Sequence, residues 1–292
     1  MLIDASHRRW IVFTLFLLAV STALYVPYHL NSVHGPRGGS LYGLAYGIAG
    51  TILMIYAGVL GVRRKVRALN LGRATTWLKG HIWLGLLSYP LIFFHAGFRA
   101  GGTLTVVLLV LFTIVLVSGI YGLVVQQIVP RLMTVQVTVE TMYEQVGTYV
   151  QRIRDDAAKM VTDVCGVLPG GEKAAEKEKE KNPKAKKIEP VEGSEPLKQF
   201  YTEELGFFLD RGRGRLGNVG SRSAVFSHYK VLLPPSIHTT LTQLEDLCEE
   251  RRQLAMQIRL HHWLHGWLIV HIPAAAALLA LTVVHAVASV YY

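Results

Sequence analysis

Four histidines carry the strongest chemical signal in the chain. His81 and His95 are fourteen residues apart, and so are His271 and His285. At about 100° per residue, fourteen steps fall about 40° short of four full turns, so each pair occupies one face of a helix. At 1.5 Å rise per residue, the two members of a pair are separated by about 21 Å along the axis. All four lie in stretches free of Asp, Glu, Lys and Arg. A polar side chain in such a stretch is costly inside a membrane and marks a functional position by default. A single buried histidine is equally well read as a core residue or a proton-relay group. Two pairs with one spacing point instead to paired ligands. Neutral imidazole is a good ligand for iron, and two opposed imidazoles fill both axial positions of a haem. Iron held in that way suits electron transfer rather than gas binding.

The elements that must position these residues are membrane helices. Of 292 residues, 51% are hydrophobic and only 17% are charged, against about 25% charged in a usual soluble chain. The formal charge is +10 with 30 Lys and Arg, so the charge sits in blocks. A bilayer core takes roughly 20 apolar residues of helix. Five stretches are expected to span it: Trp10 to Leu30, Leu41 to Val62, His81 to Phe98, Thr103 to Val129 and Gly266 to Tyr292. The first follows Arg8 and Arg9 as a signal peptide would. It lacks a small-residue cleavage site, and Trp10 and Tyr25 suit interface anchors, so it is read as a retained helix. Arg8 and Arg9 precede the first span, and Arg63, Arg64, Lys65, Arg67, Arg73 and Lys79 lie between the second and third. The other short loops carry only Arg37 and Arg99. This bias places the N-terminus and the basic loop in the cytoplasm and the C-terminus outside, in what is expected to be a bacterial cytoplasmic membrane. The third and fifth spans then run in parallel. His81 comes level with His271 on the inner side, and His95 with His285 on the outer side.

A cytoplasmic insert is expected from Pro130 to His265. Apolar residues recur at helical spacing from Arg131 to Val164, which extends the fourth span as an amphipathic helix. The Lys/Glu/Pro-rich stretch from Gly170 to Pro196 reads as a disordered linker. Ile237, Leu241, Leu244, Leu247, Leu254 and Ile258 make a second amphipathic helix. The two are expected either to pair as an antiparallel stalk or to lie on the membrane surface. Arg211, Arg213, Arg215 and Arg222, interleaved with glycine, read as a docking loop for an acidic partner or anionic lipid, or as solvated loop. His261, His262 and His265, with Trp263 and Trp267, read as an interfacial belt, with haem propionates or a quinone as other contacts. His29 and His34 are placed similarly on the outer side.

Two cysteines, Cys165 and Cys248, exclude a disulfide scaffold, a Cys-ligated zinc finger and a four-Cys iron–sulfur centre. The absence of C-x-x-C-H excludes covalent c-type haem. No phosphate-binding loop is present. Nucleic-acid binding is not expected, because topology accounts for much of the basic charge and Glu balances the linker lysines. Glycines let a porphyrin lie close to a helix backbone, and Gly47 and Gly61 in the second span are again fourteen apart. Gly85, Gly119 and Gly122 are further candidates, although glycine also serves plain helix packing.

The pairs His81/His95 and His271/His285 resemble the ligands of di-haem b-type cytochromes built on a four-helix membrane bundle. Spans two to five, with Gly47 and Gly61, resemble the cytochrome b/b6 type. Counting all five spans, the pattern resembles the membrane domain of ferric reductases and NADPH oxidases. The resemblance covers the spans and not the insert. It implies an all-α integral membrane bundle with a four-helix core and two non-covalent b-type haems, liganded by the four histidines with Gly47 and Gly61 beside them. It also implies an electron-transfer subunit of an oxidoreductase complex. The FAD and NADPH domain of the oxidases and the quinol-site motif of cytochrome b have no counterpart here. Electrons would therefore be exchanged with a separate flavin, iron–sulfur or cytochrome c protein, or with quinone. A stand-alone reductase of quinone, ferric iron or oxygen is the alternative. A transporter with a histidine proton path leaves the repeated spacing unexplained.

Overall fold

The computed structural model describes residues 4–32, 35–65, 73–136, 145–169 and 189–291. The described residues form helices and turns, with no strand among them. The helices are α1 (Arg8–Asn31), α2 (Leu41–Lys65), α3 (Ala74–Ala96), α4 (Thr103–Gln136) and α5 (Val146–Cys165). They continue with α6 (Glu195–Phe200), α7 (Gly206–Arg211), α8 (Val219–Leu232), α9 (His238–Gly266) and α10 (Leu268–Tyr291). Two compact units result, Met1–Val129 with Trp263–Tyr292, and Pro130–His262.

In the first unit, the runs Ala5–Asn31, Leu41–Gly61 and Thr103–Met133 are long and apolar enough to cross a membrane. So is an apolar window within Pro235–Tyr291. Their outward surfaces carry large apolar side chains, among them Phe13, Phe16, Ile52, Val117 and Val283. Such surface is expected where the surroundings are lipid. The expected third span does not meet this measure: among the described residues there are four such runs, and α3 is not in them. The helix starts at Ala74, earlier than expected, and its first turns hold Thr75, Thr76 and Lys79. It is also covered by neighbours. Leu87, Ser88, Leu91 and Phe94 are buried against α1 and α2. A helix faced by protein need not present an apolar surface all round.

Glycines set the close approach of α2 and α3. A Cβ at Gly50 would sit 2.7 Å from Ile92, and one at Gly80 would collide with the Tyr56 ring. Small residues allow this proximity between membrane helices. Tyr56 stacks on Trp77 with ring centres 4.9 Å apart, and Tyr25 of α1 stacks on Phe94 at 4.3 Å.

The second unit has its own core. Ile153, Ala157 and Val161 of α5 are buried with Leu197, Phe200, Phe208, Phe226, Leu241 and Leu244. Fully burying one such Leu or Phe contributes about 1.5–3 kcal/mol. The expected continuation of the fourth span falls partly on residues 137–144, which lie outside the described residues; α4 is described to Gln136 and α5 from Val146. Among the described residues α5 packs on the short helices α6 and α7 and shares one core with Leu241 and Leu244 of α9, so the unit is a multi-helix core rather than a two-helix stalk. The linker also stops sooner, since α6 starts at Glu195 and buries Leu197 and Phe200. The rest of that stretch, residues 170–188, lies outside the described residues, as do 66–72 of the basic loop and His34.

Candidate functional site: two facing histidine pairs

The four histidines of the spans meet two by two. His81 of α3 faces His271 of α10 with ring centres 6.3 Å apart and planes at 72°. His95 faces His285 with the same 6.3 Å between centres and planes at 77°. Because residues with equal offsets pair, α3 and α10 run parallel. The two levels are about 21 Å apart along the helices by the α-helical rise. Between them lies an apolar layer of Met54, Phe112 and Leu278, flanked by Tyr89 and Ile92. Leu278 is seven residues from either histidine of α10, and buried Ser88 is seven from either histidine of α3. The Ser88 hydroxyl donates to the Gly85 carbonyl, so this layer offers no free polar group from it.

Backbone carbonyls of α2 orient the α3 rings. His81 Nδ1 lies 2.9 Å from the Ala57 carbonyl oxygen, and His95 Nδ1 lies 2.9 Å from that of Gly43. A carbonyl only accepts, so each Nδ1 carries the proton and donates. In the neutral ring Nε2 is then the nitrogen that carries the lone pair. Gly43 and Ala57 are themselves fourteen residues apart, so the period of α3 is repeated in its acceptors. On the other side, His271 Nδ1 lies 3.0 Å from Ser118 Oγ of α4. The Ser118 hydroxyl donates to the Val115 carbonyl at 3.1 Å, its oxygen can accept from His271, and the same carbonyl is a second acceptor within reach of the His271 ring.

The candidate glycines separate. A Cβ at Gly47 would lie 2.6 Å from His95 Nδ1, and one at Gly38 would lie 3.0 Å from His95 Cε1. One at Gly119 would lie 3.3 Å from His271 Cε1, and one at Gly122 would enter the Trp267 ring at 2.5 Å. Gly61 has open space within 4 Å, so it does not hold a histidine as Gly47 does. Gly85 meets only Ala57 Cβ, at 3.8 Å. Trp267, expected in an interfacial belt, sets its ring edge-on to His271 at 5.1 Å between centres.

Sequence reasoning missed Ser118, the Gly43 and Ala57 carbonyls, and the contact of Trp267. Backbone acceptors leave no trace in residue type. The fourteen-residue interval from Gly43 to Ala57 was the available signal. Among the described residues no group of three or more His, Cys, Asp or Glu comes together.

In the second unit, the glycine-rich arginine loop is only partly free. Arg222 is buried, with Nη2 donating to Glu249 at 2.6 Å, so it is not available to a partner. Arg215 forks onto Glu204, and Arg211 lies over the Phe207 ring at 5.4 Å. Hydrogen bonds from Arg252 and Gln253, with the charges of Arg252 and Arg222, hold the Glu249 carboxyl down at about 2. Burial pushes the Cys248 thiol up to about 12. Compared with known family profiles, curated proteins and solved structures, the chain matches none.

Proposed function

We propose that the chain is a membrane electron-transfer subunit holding two non-covalent b-type haems, one between His81 and His271 and one between His95 and His285. The observation that carries this reading is the equal 6.3 Å separation in both pairs. An imidazole nitrogen lies about 1.1 Å from its ring centre, and metal–imidazole bonds are about 2.0–2.1 Å. Two imidazoles that each gave one nitrogen to a shared metal ion would have ring centres about 6.3 Å apart. His81 with His271, and His95 with His285, would be the protein's two ligands to each haem, with the porphyrin completing the set. When bound, the group supplies a one-electron couple at iron.

The chain's residues do the rest. Gly43 and Ala57 fix the tautomer and plane of His95 and His81 through their carbonyls. The layer of Met54, Phe112 and Leu278 keeps water from the space between the levels. In this reading α3 is a fifth span, shielded by α1 and α2, and the basic loop lies in the cytoplasm. Electrons then cross between a cytoplasmic-side flavin or iron–sulfur protein and a quinone or extracytoplasmic cytochrome. The chain holds no phosphate-binding loop, which supports a separate partner.

Vesicles containing the purified chain and entrapped ferricyanide test this. An impermeant external reductant should bleach the ferricyanide, and His95→Ala or His285→Ala should stop it. Bleaching at the rate of empty vesicles would contradict the proposal.

A further inference from the structure

Three of the four histidine rings have an acceptor at Nδ1, and one does not. At the inner level, His81 donates to Ala57 O, and His271 Nδ1 lies 3.0 Å from Ser118 Oγ, with the Val115 carbonyl as a partner of both the Ser118 hydroxyl and the His271 ring. At the outer level, His95 donates to Gly43 O. Among the described residues the His285 ring makes no hydrogen bond, and only the edge of His95 faces it. An Nδ1–H that donates raises the basicity of Nε2 on the same ring. A more basic ligand favours the ferric over the ferrous state, so it lowers the potential of the iron it binds.

We infer that Ser118 is a positioning and tuning residue, acting through His271, that makes the inner centre harder to reduce than the outer one. This rests on the di-haem reading. The inner level then has two donating imidazoles and the outer level has one. An electron leaving the inner level falls to the outer level, with no bond made or broken and no proton moved. Under the orientation proposed above, this sends electrons from the cytoplasmic side outward. Ser118 sits beside Gly119, whose missing side chain lets His271 come within reach, so the two neighbours form one device on α4.

The test is a potentiometric titration of the purified full chain, followed by optical spectra, in Ser118→Ala and Ser118→Thr. His285→Ala assigns the components, because the one that persists belongs to His81 and His271. The lower-potential component should be the inner one. Ser118→Ala should raise that component alone, increasing its ferrous-to-ferric ratio at a fixed poise about threefold to tenfold, the scale of one hydrogen bond. Ser118→Thr, which keeps the hydroxyl, should restore it. Loss of the inner haem in Ser118→Ala, restored in Ser118→Thr, also supports the assignment. Two haems per chain with both potentials unmoved, or with the outer component lower, would overturn this inference and leave the di-haem reading standing. A colourless wild-type protein would overturn both.

Discussion

At the residue scale, function depends on which groups can approach a histidine. Gly47 and Gly61 look alike in sequence, and the structure separates them. Gly47→Ala forces a Cβ to within 2.6 Å of His95 Nδ1, so the ring must leave its Gly43 acceptor. Gly61→Ala meets nothing within 4 Å. The expected outcome is that Gly47→Ala halves the haem per chain by losing the outer site, while Gly61→Ala retains both. Equal loss in the two variants would contradict the contact geometry. A second residue-scale prediction concerns Tyr25, whose hydroxyl is buried with no hydrogen-bond partner among the described residues. Removing such a group is neutral to stabilising by up to about 1 kcal/mol, so Tyr25→Phe should melt at or above the wild-type temperature in detergent. A lower melting temperature would reveal a partner for that hydroxyl. The histidines were legible in sequence because residue type and interval both survive in one dimension. Ser118 and the carbonyl acceptors were not, since a serine in a membrane helix most often bonds its own backbone.

At the element scale, hydropathy and burial pull in different directions. Helices α1, α2 and α4 were legible as apolar runs because their outer faces meet no protein. Helix α3 was read as an uncharged apolar stretch from about His81 to Phe98, and its start at Ala74 was missed because Lys79 and two threonines hid the first turns. In the second unit the amphipathic periods of α5 and α9 were legible, but α6 and α7 were not. They are the two ends of one helical run, 195–211, and the π-helical stretch Tyr201–Leu205 between them shifts the register of the buried face, so no single helical period shows. The carbonyl end of α7 is held from afar: Arg251 Nε donates to Leu209 O at 2.7 Å, and Nη2 to Asp210 O at 3.0 Å. The Arg222–Glu249–Arg252 cluster predicts a pH limit for this unit. The folded Glu249 carboxyl sits near 2, below its ordinary 4.5, so its contribution is present above about pH 4.5 and is lost as pH falls toward 2. Buried Cys165 and Cys248 serve as reporters. Thiol labelling by a disulfide reagent active in acid should rise between pH 4.5 and 2 in the wild type. Glu249→Gln should label faster at pH 7, with a stability loss of about 1.5–3 kcal/mol and a shallower acid limb. Labelling independent of pH and of Glu249 would show that the cluster does not hold the unit together.

At the scale of the whole molecule, the division of labour follows the distribution of charge. The apolar unit carries all four paired histidines, and the charged unit carries a separate core. The clustering of charge was legible from composition. The packing of α5 through α9 into one core was not, because it depends on contacts among short helices far apart in sequence. The central claim is that two centres are each shared by α3 and α10 rather than held by one helix. Haem content per chain, measured with the optical spectrum in wild type and in four single His→Ala variants, tests it most directly. Two haems per wild-type chain are predicted. His81→Ala and His271→Ala should each lose one and the same spectral component, and His95→Ala and His285→Ala should each lose the other. Protein without haem absorbance, or haem content unchanged in these variants, would contradict it.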